Sequence, residues 1–182
     1  MHEEHFIKIL NLKLEGVMFH DEMADVFAFL NLKGFMELHK KQMFEELEET
    51  CKIKKYYLKH YHKMLKANPN SNINVYPASW VGHSNMEIDA ATIKNYTKNM
   101  LEQYVRWEEN VKKELTVIAD EFYSKHQMED FNMVFELIQD VNHELSFIND
   151  IILKLKMTDY DSKDIVHMQK KIRHMLKEED DD

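Results

Sequence analysis

The chain has 182 residues, 44% apolar and 31% charged, with a net charge of −9; that suits one globular domain with a sizeable core rather than a disordered chain. A net acidic chain without a basic–aromatic patch argues against nucleic acid, and no apolar run reaches the roughly 18–20 residues that span a bilayer. The single Cys51 excludes an internal disulfide framework, and no signal-peptide pattern opens the chain, so a cytoplasmic location is expected.

Only three glycines and two prolines punctuate the sequence, and none occurs from His83 to Asp182. These residues are the strongest local helix breakers, so long helices are the main option left. In chain order the periodicity predicts helices over about residues 4–30, 35–66, 86–125, 128–157 and 161–177, followed by an acidic tail over 178–182. Gly34 marks the end of the first helical segment, and Gly16 inside it suggests close helix packing. The second helix is acidic early (Glu45 to Glu49) and lysine-rich later, which complements its dipole. The first two helices and the next two are joined by short turns, so each pair is an antiparallel hairpin. Between the pairs runs a long Asn-, Ser- and Pro-rich crossover, residues 67–85, containing Pro69, Pro77, Trp80 and Gly82. The expected fold is all-α, a four-helix bundle with one long crossover and a short fifth helix, as a single domain over 1–182.

Four apolar stripes at helical spacing are each interrupted by glutamate. Ile9, Leu12, Glu15, Phe19, Glu22, Val26 and Phe29 form one, and Phe35, Met43, Glu46, Ile53 and Tyr57 another. Met100, Tyr104, Glu108, Val111 and Leu115 form a third, and Val134, Leu137, Val141, Glu144 and Ile148 a fourth. Residues three and four apart share a helix face, so these carboxylates point toward a core. A lone buried carboxylate is costly, and several converging ones require a cation. Glu49 follows Glu46 by one turn; Asp140 and His143 form a weaker D-x-x-H pair. Glu45, Glu48 and Glu109 read as solvated, Cys51 as a small buried hydrophobe and His39 as a satisfied core histidine. Hard oxygen donors suit iron or manganese better than copper or structural zinc. Nothing identifies a catalytic group beyond the metal ligands.

The chain resembles non-haem bacterial-type ferritins over most of its length. The Glu108-to-Glu144 spacing is similar to that between the family's ligands on its third and fourth helices. Residues 142–155 (NHELSFINDIILKL) resemble the end of the fourth helix, and Gly34 to Glu46 matches the spacing from the first turn to the second-helix glutamate. Glu15 then falls at the first-helix ligand. Three positions depart from the family pattern: E-x-x-H becomes Glu46-x-x-Glu49, a glutamine becomes Val141, and Glu22 stands where a tyrosine is usual. The resemblance implies a di-iron carboxylate site with two irons per subunit, ligated by Glu15, Glu46, Glu49, Glu108 and Glu144. It also implies Fe(II) oxidation and iron storage in a homo-oligomeric shell. The alternatives are another di-metal oxidase, or a structural or interaction protein on the same bundle without redox activity.

Overall fold

A computed structural model describes residues 2–77 and 88–180; the side chains of residues 178–180 are not described. Five helices account for most of it: α1 (His2–Phe29), α2 (Lys33–Tyr61), α3 (Ala90–Ser124), α4 (Met128–Lys156) and α5 (Ser162–Asp180). Among the described residues there is no strand. The chain divides into two compact units, one made of residues 1–93 and 162–182, the other of residues 94–161.

In the first unit α1 and α2 form an antiparallel hairpin, and α5 lies against α2. The hairpin is laced by ring contacts, Phe6 on Tyr57 at 5.1 Å and Phe27 on Phe35 at 4.9 Å between centroids. The turn between them contains no glycine. Asn31 adopts φ 58°, and the Leu32 amide bonds back to the Phe27 carbonyl at 2.9 Å, a Schellman closure. Asn31, not Gly34, therefore ends α1. Gly34 lies in the first turn of α2, and a Cβ there would come within 1.8 Å of the Gln169 carbonyl oxygen. Its missing side chain lets the α5 backbone come close. Gln169 Oε1 then accepts the Gly34 amide at 2.8 Å, satisfying an α2 N-terminal donor that Leu32 has no side chain to cap.

The second helix ends at Tyr61, five residues before the expected position, because His62 turns to φ 54° and its amide closes on the Leu58 carbonyl. The following stretch is irregular, and its residues 68–76 are held along α1. Asn68, Asn70 and Val75 donate their amides to Asn11 Oδ1, Glu15 Oε1 and Glu22 Oε2, at 2.7, 2.7 and 2.5 Å. The Tyr76 hydroxyl donates to Asp25 Oδ2 at 2.8 Å. Asn11, Glu15, Glu22 and Asp25 are spaced by four, seven and three residues, so one face of α1 holds the whole strap. Trp80, Gly82 and the expected third-helix start at 86 lie outside the described residues. The observed start is Ala90, capped by Asp89, whose Oδ1 accepts both the amide and the hydroxyl of Thr92 at 2.7 Å.

In the second unit α3 and α4 form another antiparallel hairpin, closed by His126 at φ 56° and a Gln127 amide to Phe122 carbonyl bond of 2.9 Å. Tyr123 meets Phe131 near the turn, and Lys94 pairs with Asp159 at the open end. The expected stripes are buried: Met100, Tyr104, Val111 and Leu115 on α3, with Val134, Leu137, Val141 and Ile148 on α4. Ser162–Asp180 runs three residues beyond the expected end of the fifth helix, into the acidic run.

Candidate metal centre

The strongest carboxylate pair lies within the second unit. Glu108 is fully buried on α3, and Glu144 is half-buried on α4. A carboxylate oxygen of each lies within 4.8 Å of the other's. The hydroxyl of Tyr104, one turn before Glu108, donates to Glu144 Oε2 at 3.1 Å and orients that carboxylate. Both glutamates stand where periodicity places core residues, so the helices deliver them inward without any special backbone feature. Two carboxylates at this separation repel in a low-dielectric setting, and a hard cation between them converts the repulsion into ligation. The donor set fits iron or manganese.

The first unit uses its carboxylates differently. Glu46 is buried on α2 and Glu49 follows one turn later, and both meet the ammonium of Lys13 on α1. Lys13 Nζ is 3.3 Å from each oxygen of Glu46 and 2.6 Å from Glu49 Oε2, and Lys13 is only 1% exposed. Gly16 makes room for this arrangement. A Cβ there would lie 2.9 Å from Glu46 Cδ and 3.2 Å from both its oxygens. Glu46 and Glu49 are thus brought together, with a protein cation between them.

Glu15 and Glu22 are given to the strap, each accepting a backbone amide. The buried face of α1 is broader than the expected stripe: Ile9, Leu12, Phe19 and Val26 are buried, but so are Lys13, Gly16, His20 and Met23, and Glu15 and Glu22 stand half-buried at its margin. Beside Glu22 and Asp25 the Tyr76 hydroxyl is pushed up to about 12, by burial first and then by its bond to Asp25 and the neighbouring carboxylates. Asp140 and His143 are both exposed, on the solvent side of α4. Cys51, expected inside, is exposed as well, because α2 turns Glu46, Thr50, Ile53 and Tyr57 inward and leaves residue 51 on the opposite face.

His39 is a buried, bonded histidine, as expected. Its partner is His20, with Nδ1 atoms 3.0 Å apart and rings stacked at 5.2 Å. One Nδ1 must donate and the other accept, which two neutral rings can do. Burial, followed by the Lys13 charge, pushes His20 down to about 3; burial, followed by His20, holds His39 well below 6.5. Periodicity carried a trace of this group, since Lys13, Gly16 and His20 are spaced by three and four. A single lysine in a helix ordinarily reads as a side chain reaching for solvent.

No family model and no curated protein matches the sequence. Solved ferritin structures nevertheless superpose on nearly all of it. A humanized archaeal ferritin has a TM-score of 0.73 at 17% identity, with 94% of each chain covered. An open-pore ferritin from the hyperthermophilic archaeon Archaeoglobus fulgidus gives 0.72 at 18%, covering 93% of each chain. A closed form of the Archaeoglobus fulgidus ferritin, engineered by mutagenesis, gives 0.72 at 18%, covering 94% of this chain and 93% of that one. The fold is therefore the ferritin-like helical bundle, as the sequence resemblance implies.

Proposed function

We propose that the chain is a single ferritin-like domain that binds iron through Glu108 and Glu144, oxidises Fe(II) with dioxygen or peroxide as the electron acceptor, and stores the ferric product within a homo-oligomer. The approach of these two carboxylates carries the reading. One is fully buried, they come from neighbouring helices, and the fold is one in which the named ferritins are built. Fe(II) is the substrate; when bound it supplies the one-electron couple, and the chain supplies oxygen donors and burial. Tyr104 holds the Glu144 carboxylate, and Glu108, sealed from solvent, keeps its ligand atoms from competing water. Manganese is the alternative metal for the same donors.

Self-association has separate support in α2. Phe44, Leu47 and Leu58 lie 59%, 44% and 48% exposed, spaced by three and eleven residues on one side of the helix. An exposed apolar stripe of this kind is most simply covered by a second copy of the chain. Among the described residues no helix is long and apolar enough to cross a membrane. The lone exposed thiol suits the reducing cytoplasm.

A second reading, a bundle without redox activity, is favoured by one observation, the lysine between Glu46 and Glu49. Bound iron per chain decides between the two. Iron should co-purify or titrate in, and Glu108→Ala and Glu144→Ala should each lose it while remaining helical. Unchanged iron in both variants, or none in the parent, overturns the iron reading.

A further inference from the structure

We propose that the Lys13 ammonium is the permanent counter-ion of Glu46 and Glu49, so these carboxylates take up no metal and each chain holds one iron rather than two. The count of one rests on the iron reading above; the Lys13 assignment does not.

The geometry is that of an occupied cation site. Nζ stands equidistant, at 3.3 Å, from the two oxygens of Glu46, and at 2.6 Å from Glu49 Oε2. A divalent ion chelated by Glu46 and bound by Glu49 would need the space between those same three oxygens, at roughly 2.0–2.2 Å from each. Ammonium and metal therefore exclude one another. Displacement would be costly, because Lys13 is 1% exposed and a dislodged ammonium would remain buried beside a dication. The surroundings are adjusted to the lysine as well. Gly16 admits the Glu46 carboxylate against α1, and the Lys13 charge helps hold His20 neutral. Replacing a divalent ion by a lysine on α1 also gives the α1–α2 hairpin a tie that does not depend on metal supply.

Equilibrium dialysis against Co(II), a borderline divalent ion that accepts carboxylate oxygens and is simple to quantify, tests this on the full-length protein. Glu49→Gln should leave the Co(II) count unchanged and lower the melting temperature, since its contribution is to the ion pair. A lower count in Glu49→Gln overturns the proposal. Lys13→Met should gain one Co(II) per chain, and the gain should persist in Lys13→Met/Glu108→Ala and vanish in Lys13→Met/Glu49→Ala. No gain in Lys13→Met overturns the proposal too. If Lys13→Met is unfolded without metal, Co(II) should restore its helical signal, and failure to do so counts against the proposal. A parent protein that binds no Co(II) overturns the iron reading instead, and the gain in Lys13→Met then decides the Lys13 assignment by itself.

Discussion

The carboxylate of Glu46 rests against the backbone of Gly16, where an added methyl would come within 2.9 Å of Cδ. In an unconstrained helix Gly→Ala stabilises by about 0.5–1 kcal/mol. Here the carboxylate cannot give way without stretching its contacts to Lys13. Gly16→Ala should therefore be destabilising by about 1–3 kcal/mol, the range for overpacking a close-packed interior. In a Glu46→Ala background the same change should turn neutral or stabilising. Denaturant melts of the four proteins measure the coupling, and simple additivity would show that Gly16 is unrelated to Glu46.

Acid should weaken the fold early, through the histidine pair. Unfolded imidazoles take up a proton below about pH 6.5, whereas His20 resists until about 3 and His39 is held well below 6.5. The unfolded chain therefore binds more protons in that interval, and folded stability falls as pH drops. The slope approaches about 1.4 kcal/mol per pH unit from His20 between pH 6 and 5, and His39 adds to it in the same direction. Urea melts of metal-free protein across that interval measure it. His20→Phe/His39→Phe, which keeps aromatic bulk next to Phe27 and Phe19, should flatten the slope. An unchanged slope in the double variant would assign acid sensitivity to other groups.

How far the sequence reaches differs between the two hairpins. On α3 and α4 the interrupted stripes turn Glu108 fully inward and bring the half-buried Glu144 close to it, since one helix face is all the argument needs. On α1 the buried face is broad, running through Phe6, Ile9, Leu10, Lys13, Gly16, His20, Met23 and Phe27. Periodicity puts Glu15 and Glu22 on an apolar stripe, yet it cannot distinguish the centre of that face from its edge. At the edge a carboxylate can accept an amide from a passing strap instead. Lys13 was hidden for a different reason: its partners are 33 and 36 residues away on another helix, a tertiary pairing that no local pattern encodes. The Asp89 cap, by contrast, was readable from Asp89 and Thr92, and would have moved the α3 start to Ala90.

The strap makes a prediction that separates Glu15 and Glu22 from metal binding. Glu22→Ala should speed hydrogen exchange at the Val75 amide, and Glu15→Ala at the Asn70 amide, each by at least tenfold. A charge-assisted bond of about 1.5–3 kcal/mol is lost in each case. Bound iron should be unaffected. Loss of iron in either variant with unchanged exchange would return that carboxylate to the metal site.

The last prediction concerns α5. Its docking depends on the bare backbone of Gly34, where a Cβ would lie 1.8 Å from the Gln169 carbonyl oxygen and 2.7 Å from its carbonyl carbon. Backbone cannot rotate out of the way as a side chain tip can, so Gly34→Ala must push α5 off α2. The displacement also breaks the Gly34 amide bond to Gln169 Oε1 and the Arg173 Nε to Glu37 Oε2 contact, 2.8 and 3.0 Å long. Arg173 and Glu37 are partly exposed and contribute little by themselves. The principal loss is the burial of Ile165 and Ile172, 0% and 1% exposed, each worth about 1.5–3 kcal/mol when fully covered. Limited trypsin digestion should accordingly cut Gly34→Ala within Lys170–Lys177 well before the parent, while the α1–α2 hairpin and its Lys13 contacts persist. Equal protection of α5 in Gly34→Ala and the parent would mean that α2 and α5 can separate slightly and keep their contacts, and that Gly34 is not what docks the helix.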